Sequence, residues 1–355
     1  MAAVATPAPA TAGPVPLARS ARLRVGWLLA GAATVIVAVV AALVVGPVRI
    51  PAGEVVRELL WFDTDLTDVQ RAILWDIRLP RVVLGLLVGS TLAVSGASYQ
   101  GVFRNPLADP YLLGAAAGAG VGVTVVIVST AEGSDLPFAA PLAAFVGALA
   151  AVALTYVLGV SGGGARVSTA SLILAGVAVA SFLTAIQTFV QQREDETLRE
   201  VYGWILGRLT TAGWREVALV VPYALLSTAA ILLHGRLIDV LAVGDEEASS
   251  LGVRAARVRL VVVAAATLAT AAAVAVSGLI GFVGIIVPHT IRLLAGSSHR
   301  LLAPLSLIAG AAFLILADLA ARTVMAPAEL PIGVVTAIVG APFFALVLRG
   351  TRRVP

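Results

Sequence analysis

The 355-residue chain is 59% hydrophobic and 12% charged with a mean hydropathy of +1.00, whereas soluble domains are about a quarter charged; this is an all-α polytopic membrane composition. Cysteine is absent, which excludes disulfides, thiolate chemistry and Cys-ligated zinc or iron–sulfur centres, and all 24 basic residues are arginine, so there is no Walker A lysine to hold ATP. The net charge of +4 comes from arginines at the ends of apolar runs, where they act as topology signals rather than as a nucleic-acid surface.

Residues 1–18, uncharged and dominated by Ala, Pro, Thr, Gly and Val, predict a disordered leader, leaving 19–355 as one transmembrane domain. Arg19, Arg22 and Arg24 then precede an uncharged run from Val25 to Val48, too long for the apolar region of a cleaved signal peptide and read as a first span with its N-terminus inside. Residues 49–81 follow outside with six acidic groups and five arginines, and Trp61 and Trp75 there are expected at the membrane interface.

Arg78 and Arg81 open a hairpin. An uncharged run over 82–103, the turn Arg104-Asn-Pro-Leu-Ala-Asp-Pro110 and a second Gly-rich run follow, each run long enough to cross about 30 Å of hydrocarbon at 1.5 Å per residue. Further uncharged tracts cover 136–165, 167–192, 217–235, 260–291, 301–317 and 330–348. The tract 260–291 would make a helix about 48 Å long and is interrupted by Gly278, Gly281, Gly284 and Pro288, so it is expected to hold one span plus one short broken helix, giving ten in all. With ten spans, the segments assigned inside carry most of the arginines outside the first loop and five acids, which fits cytoplasmic N- and C-termini.

An internal repeat is visible. Ala93-Val-Ser-Gly96 recurs as Ala275-Val-Ser-Gly278, and Pro106 and Pro288 each follow ten residues after the glycine; Pro141-Leu142 with Gly147-Ala148 recurs as Pro304-Leu305 with Gly310-Ala311. The matched spans are five apart in a ten-span chain, so the halves should lie inverted in the membrane, as in many transporters.

Chemistry-bearing groups are sparse. The tract interiors hold no carboxylate, with Asp318 and Glu329 beside tract ends, which argues against ion-coupled transport. Gly244 to Val253, containing Asp245, Glu246, Glu247, Ala248, Leu251 and Gly252, reads as a short charged helix ending at a glycine cap, able to dock into another subunit or to serve as a plain connector. Ser181, Thr184, Thr188 and Gln191 share one helical face; the stripe either lines a pathway or bonds to its own and neighbouring helices. Gly159-Val-Ser-Gly162 has the form of an intramembrane protease motif with His289 as a conceivable base, but Ser161 reads as part of a loop next to Arg166. His234, His289 and His299 sit at tract ends without metal-ligand spacing, so no metal site is expected.

Taken together, Ile77-Arg-Leu-Pro-Arg81, Ser95-Gly-Ala97, Asn105-Pro-Leu-Ala-Asp-Pro110, Leu113-Gly114, Gly281-Phe-Val-Gly284, Val287-Pro-His-Thr-Ile-Arg292, Ala317-Asp318 and Glu329-Leu-Pro-Ile-Gly-Val-Val335 resemble the FecCD family from about residue 24 to the C-terminus. These are permease subunits of type II ABC importers for ferric siderophores, heme and cobalamin. The resemblance implies a ten-helix subunit in the bacterial cytoplasmic membrane, surrounded by lipid and paired with a second permease subunit, identical or not. It implies two cytoplasmic ATPase subunits, which bind the ATP and Mg that this chain does not, and an extracytoplasmic substrate-binding protein.

Carried over by position, the segment around 240–256 matches the coupling helices. Arg78, Arg81 and Arg322 match arginines that pair with glutamates of the docked binding protein. Ser181, Thr184, Thr188 and Gln191 match the pathway-lining helix, and Arg166 to Thr169, including Ser168, the gate before it. Ala115-Ala-Ala117 departs from the Ser or Asn that the family often places there. The expected activity is ATP-driven alternating access for an iron chelate or heme, with cobalamin as the alternative cargo, and not catalysis; a serine hydrolase and an ion-coupled carrier are the other readings.

Overall fold

Helix α4 (Leu79–Val102) is the post around which the bundle packs, buried along nearly its whole length. In the computed structural model, which describes residues 25–130, 139–161, 169–193, 197–210 and 213–351, it continues from α3 (Asp68–Ala72) through a π-helical stretch, Ile73–Arg78. Thr67 and Gln70 start this rod with a reciprocal capping box. Pro80, at the second position of α4, has no amide to donate and crowds the carbonyl four residues back, which accounts for the widened turn before it.

The other apolar helices are α1 (Val25–Val44), α5 (Ala115–Thr130), α6 (Ala139–Ser161), α7 (Thr169–Gln191), α9 (Trp214–Val243), α11 (Ala255–Ser277), α12 (Val283–Ala295), α13 (His299–Thr323) and α14 (Ile332–Thr351). With α4 they make ten among the described residues, seven long enough to cross a membrane and three shorter, as the uncharged tracts predict. The short helices α2 (Ala52–Leu59), α8 (Leu198–Ile205) and α10 (Asp245–Ser250) lie in the connections; α2 and α3 fall in the acid-rich segment that hydropathy leaves without structure. The leader 1–18 and the segment 162–168 lie outside the described residues.

Small residues let the helices touch backbone to backbone, the packing that serves where lipid removes the hydrophobic drive. A side chain on Gly89 of α4 would run into the carbonyl of Gly310 of α13, and the reverse; Gly118 of α5 and Gly147 of α6 are matched in the same way. Gly147 and Gly310 are the glycines of the second repeat pair, so the repeated residues serve the same kind of contact in each half. Large apolar side chains such as Leu225 and Leu233 of α9 are left on the outer surface, as a protein solvated by lipid requires.

The tract 260–291 is broken as its glycines and proline predict. α11 ends at Gly278 with φ +68, Phe282 also has positive φ, and α12 begins inside the bundle, where Gly284 abuts Gly96 of α4 and Pro110. At 13 residues α12 is about 20 Å long, too short to cross the hydrocarbon alone. The turn after α8 closes on the same break: the Arg208 amide donates to the Ser277 carbonyl at 2.8 Å, and the amides of Ile332 and Gly333 donate to Gly207 and Leu206.

Candidate functional site

The sequence-predicted residues fall into three places: α10 at one end, the outer face of α7, and an arginine cluster at the opposite end beside α2.

α10 is a short helix of six residues, closed at its C-terminal end. Gly252, at φ +77, ends it, with the Val253 amide donating to the Ala248 carbonyl and the Gly252 amide to Ser249, each at 2.9 Å; this is a Schellman closure. Asp245 faces inward, accepting from Arg259 at 3.1 and 3.2 Å and from Arg104 at 3.3 Å. Ala248 is buried beneath the turn, while Glu246, Glu247 and Gly252 are exposed and Leu251 is 69% exposed. The six residues therefore divide: Asp245 and Ala248 fix α10 to its own subunit, and Glu246, Glu247 and Leu251 face outward. Val243, at the end of α9, is another exposed apolar side chain at this end.

Arg104 leads into two consecutive Asx-type turns. Asn105 Oδ1 accepts from the Leu107 amide at 3.0 Å, and Asp109 Oδ1 accepts from the Tyr111 amide at 2.8 Å. Burial pushes the Asp109 carboxyl up to about 6, against the opposing pull of the Tyr111 amide. Tyr111 then reaches across to the α11–α12 break, its hydroxyl donating to the Ile280 carbonyl at 3.1 Å and accepting from the Ile280 amide at 3.2 Å. A continuous set of contacts thus runs from α10 through Asp245, Arg104 and the double turn to the broken helix. Sequence reading misses Tyr111; its signal is an aromatic residue directly after the Asp-Pro turn, with a Gly-interrupted helix elsewhere to receive it.

The polar stripe on α7 splits. Ser181, Thr184 and Thr188 are on the exposed face, with Thr188 Oγ1 also bonded to the Thr184 carbonyl at 2.9 Å, whereas Gln191 is buried. Gln187, which the stripe omits, is buried beside Gly120 of α5, and the amide nitrogens of Gln187 and Gln191 have no protein partner. The backbone of Thr169 begins α7; Ser168 lies outside the described residues.

At the α2 end the three arginines cluster and bond within the subunit: Arg78 is 4% and Arg322 7% exposed in the isolated chain. Arg78 donates to the carbonyls of Leu43 at 2.5 Å, Val44 at 3.1 Å and Val48 at 2.5 Å, and Arg322 donates to Ala42. The two guanidinium groups cap the last turn of α1, where unpaired carbonyls and the helix dipole favour a cation. Arg81 grips Asp318 (2.8 and 3.1 Å) and Glu329 (2.9 and 3.1 Å). The reason is burial: a cation placed here needs acceptors, and the chain supplies them from the end of α1, from α13 and from the connection before α14.

The weaker candidates resolve. Ser161 is the last residue of α6 rather than part of a loop, and its hydroxyl donates to Val157 at 2.7 Å. His299 is not an interfacial tip: it is buried, its ring nitrogens 3.2 Å from Asp239 Oδ1 and 3.2 Å from the Ala97 carbonyl. Asp239 also accepts from Ser298 Oγ at 2.7 Å and the His299 amide at 2.5 Å, so it caps α13 from α9. His234 bonds Ala230 in its own helix, and His289 stands edge-on to Phe343 at 5.7 Å. Among the described residues no three His, Asp or Glu side chains could share a metal ion.

Comparison with known proteins agrees with this architecture. The hemin transport system permease protein HmuU of Yersinia pestis is 39% identical over 92% of this chain and 96% of its own length. The cobalamin import system permease protein BtuC of Halobacterium salinarum is 40% identical over 79% of this chain and 74% of its own. A solved structure described as an inward-facing conformation of a metal-chelate type ABC transporter superposes with a TM-score of 0.81 at 28% identity, covering 92% of this chain and 100% of that one. The model of the FecCD transport family matches residues 34–350. A multi-pass bundle with a broken α12, an exposed turn between α9 and α11 and these matches lead to one conclusion: the chain belongs to the FecCD transport family.

Proposed function

We propose that the chain is the permease subunit through which an ABC importer moves a ferric siderophore or a related iron chelate or heme across the cytoplasmic membrane. Two such subunits, identical or not, would form the pathway, with two ATPase subunits below and a substrate-binding protein above. The termini and α10 lie on the cytoplasmic side in this reading, because the arginine-rich connections are there. ATP and Mg belong to the ATPase subunits.

The observation that carries the reading is α10. This short helix is anchored inward by Asp245 and presents Leu251 flanked by Glu246 and Glu247, an apolar knob with an acidic rim suited to a cleft in another subunit. Movement of that helix would reach the pathway through Arg104 and Tyr111. Ser181, Thr184 and Thr188 would line the pathway, and Arg166 to Thr169 the gate before it. Arg78, Arg81 and Arg322 would set the shape of the surface offered to the binding protein, and would meet its acidic groups only after leaving their internal partners.

The sparse polarity of the proposed pathway fits a bulky cargo held mainly by the binding protein. Cobalamin is the second reading, favoured by the relative named for it. The test is uptake by the reconstituted importer of labelled ferric siderophore, hemin and cobalamin in parallel: iron or hemin accumulation supports the first reading, and cobalamin accumulation alone replaces it.

A further inference from the structure

The repeat that relates the two halves is broken at one packing contact. Under the spacing that pairs Pro141 with Pro304 and Gly147 with Gly310, Phe145 of α6 corresponds to Ile308 of α13. Ile308 is seated directly on α1, where a side chain on Gly31 would come within 2.8 Å of its Cγ2. In the other half the helix corresponding to α1 is α9, and it does not close on α6 in the same way. Phe145 instead meets Tyr223 at a centroid separation of 5.1 Å and a tilt of 47°, and beneath the two rings lies a cleft of about 280 Å³.

The cleft is bounded by Pro141, Leu142 and Phe145 of α6, Leu219 of α9, and the small Ala272 and Ala275 of α11, with no charged residue in its lining. Its depth follows from Trp214 at the start of α9, which is half-exposed and donates its indole N–H to the Trp75 carbonyl at 2.9 Å. Tryptophan marks the headgroup level. Leu219 and Tyr223 lie five and nine residues further along α9, about 8 and 14 Å deeper, at the depth of acyl chains. The rim is open outward, with Leu142 60% exposed. An apolar cavity of this kind stays dry, and an apolar guest recovers dispersion contacts that empty walls lack.

We infer that this cleft is a binding site for a single phospholipid acyl chain, which fills between α6 and α9 the space that Ile308 and Gly31 close between α13 and α1. The headgroup of that lipid sits at the level of Trp214. The site holds a structural lipid at one packing seam, distinct from the lipid that bathes the rest of the surface.

The test uses the full chain in phosphatidylglycerol–phosphatidylethanolamine vesicles doped with a phosphatidylethanolamine bearing a photoactivatable acyl chain, followed by mapping of labelled peptides. The reference is Leu233, a highly exposed lipid-facing residue further along the same helix. Labelling around Phe145 and Tyr223 is expected severalfold above that at Leu233, falling to the reference level in Ala272→Phe, which fills the cleft from α11. Should that variant not fold, Leu142→Phe fills it from the rim with the same expected loss. Equal labelling at cleft and reference, labelling that survives both fillings, or no labelling because another protein surface covers the cleft would each overturn the assignment.

Discussion

Tyr111 and Ile280 lie 169 residues apart, yet one phenol hydroxyl satisfies both the amide and the carbonyl of Ile280 at the point where α11 gives way to α12. The helix break leaves these two backbone groups without an intrahelical partner, and Ile280 is buried, so the hydroxyl replaces bonds that water cannot supply. Tyr111→Phe keeps the ring and strands both groups. It should cost about 1–3 kcal/mol and lower the melting temperature in detergent by several degrees, and it should depress uptake more than ATP hydrolysis in the assembled importer. An unchanged melting curve would mean that the break is held by other contacts.

Asp109 should make stability depend on pH. Its folded-state value of about 6 stands above the ordinary 3.8 because of burial, so the protonated form is favoured on folding. The contribution is fully present below about pH 3.8 and is lost as pH rises through about 6. Asp109→Asn keeps an acceptor for the Tyr111 amide and removes the charge. Melting scanned from pH 4 to 8 should show the variant gaining on the parent across that window, and parallel curves would contradict the burial argument.

Within α10 the outward and inward residues should separate experimentally. Leu251→Ala should weaken association with the ATPase subunit by about 1–2 kcal/mol, roughly tenfold, with no change in melting. Glu247→Arg should abolish ATP-driven uptake, also without a melting change. Asp245→Ala should lower the melting temperature as well, since it leaves the buried Arg259 without its carboxylate. Co-purification alongside thermal scans checks all three.

For the outer arginines the distinguishing quantity is stability. Arg81→Met removes the hydrogen-bonded partner of the buried Asp318 and leaves it only the Arg322 guanidinium at 3.7 Å, a loss of about 1–3 kcal/mol, and the double variant with Asp318→Asn should recover part of it. A contact made only with a docked partner would instead alter binding-protein affinity and leave the isolated subunit's melting untouched.

Much of this molecule was legible from the order of its residues. The break at Gly278 to Pro288 could be read because glycine and proline carry their backbone consequences locally, and α10 because its charges interrupt apolar runs and a glycine ends it. The correspondence of Gly147 with Gly310 was visible as a repeat, although not that each would pack against the backbone of a neighbouring helix. Less legible was the fate of Arg78, Arg81 and Arg322: their spacing marks a span end, but whether a guanidinium faces a partner or its own α1 carbonyls depends on three helices converging. Tyr111 and Asp239 are hidden for the same reason, since each acts on a residue at least 59 positions away. The stripe on α7 was readable as a face, yet helical spacing cannot say that Gln191 turns inward while Thr184 stays out.

The central claim is that this subunit moves cargo only when driven by ATPase partners. The most direct measurement is accumulation of a labelled ferric siderophore in proteoliposomes holding the chain alone, or the chain with its ATPase and binding protein, with and without ATP. Concentrative uptake should occur only in the complete, ATP-supplied vesicles. Uphill accumulation by the chain alone under an ion gradient would contradict the account.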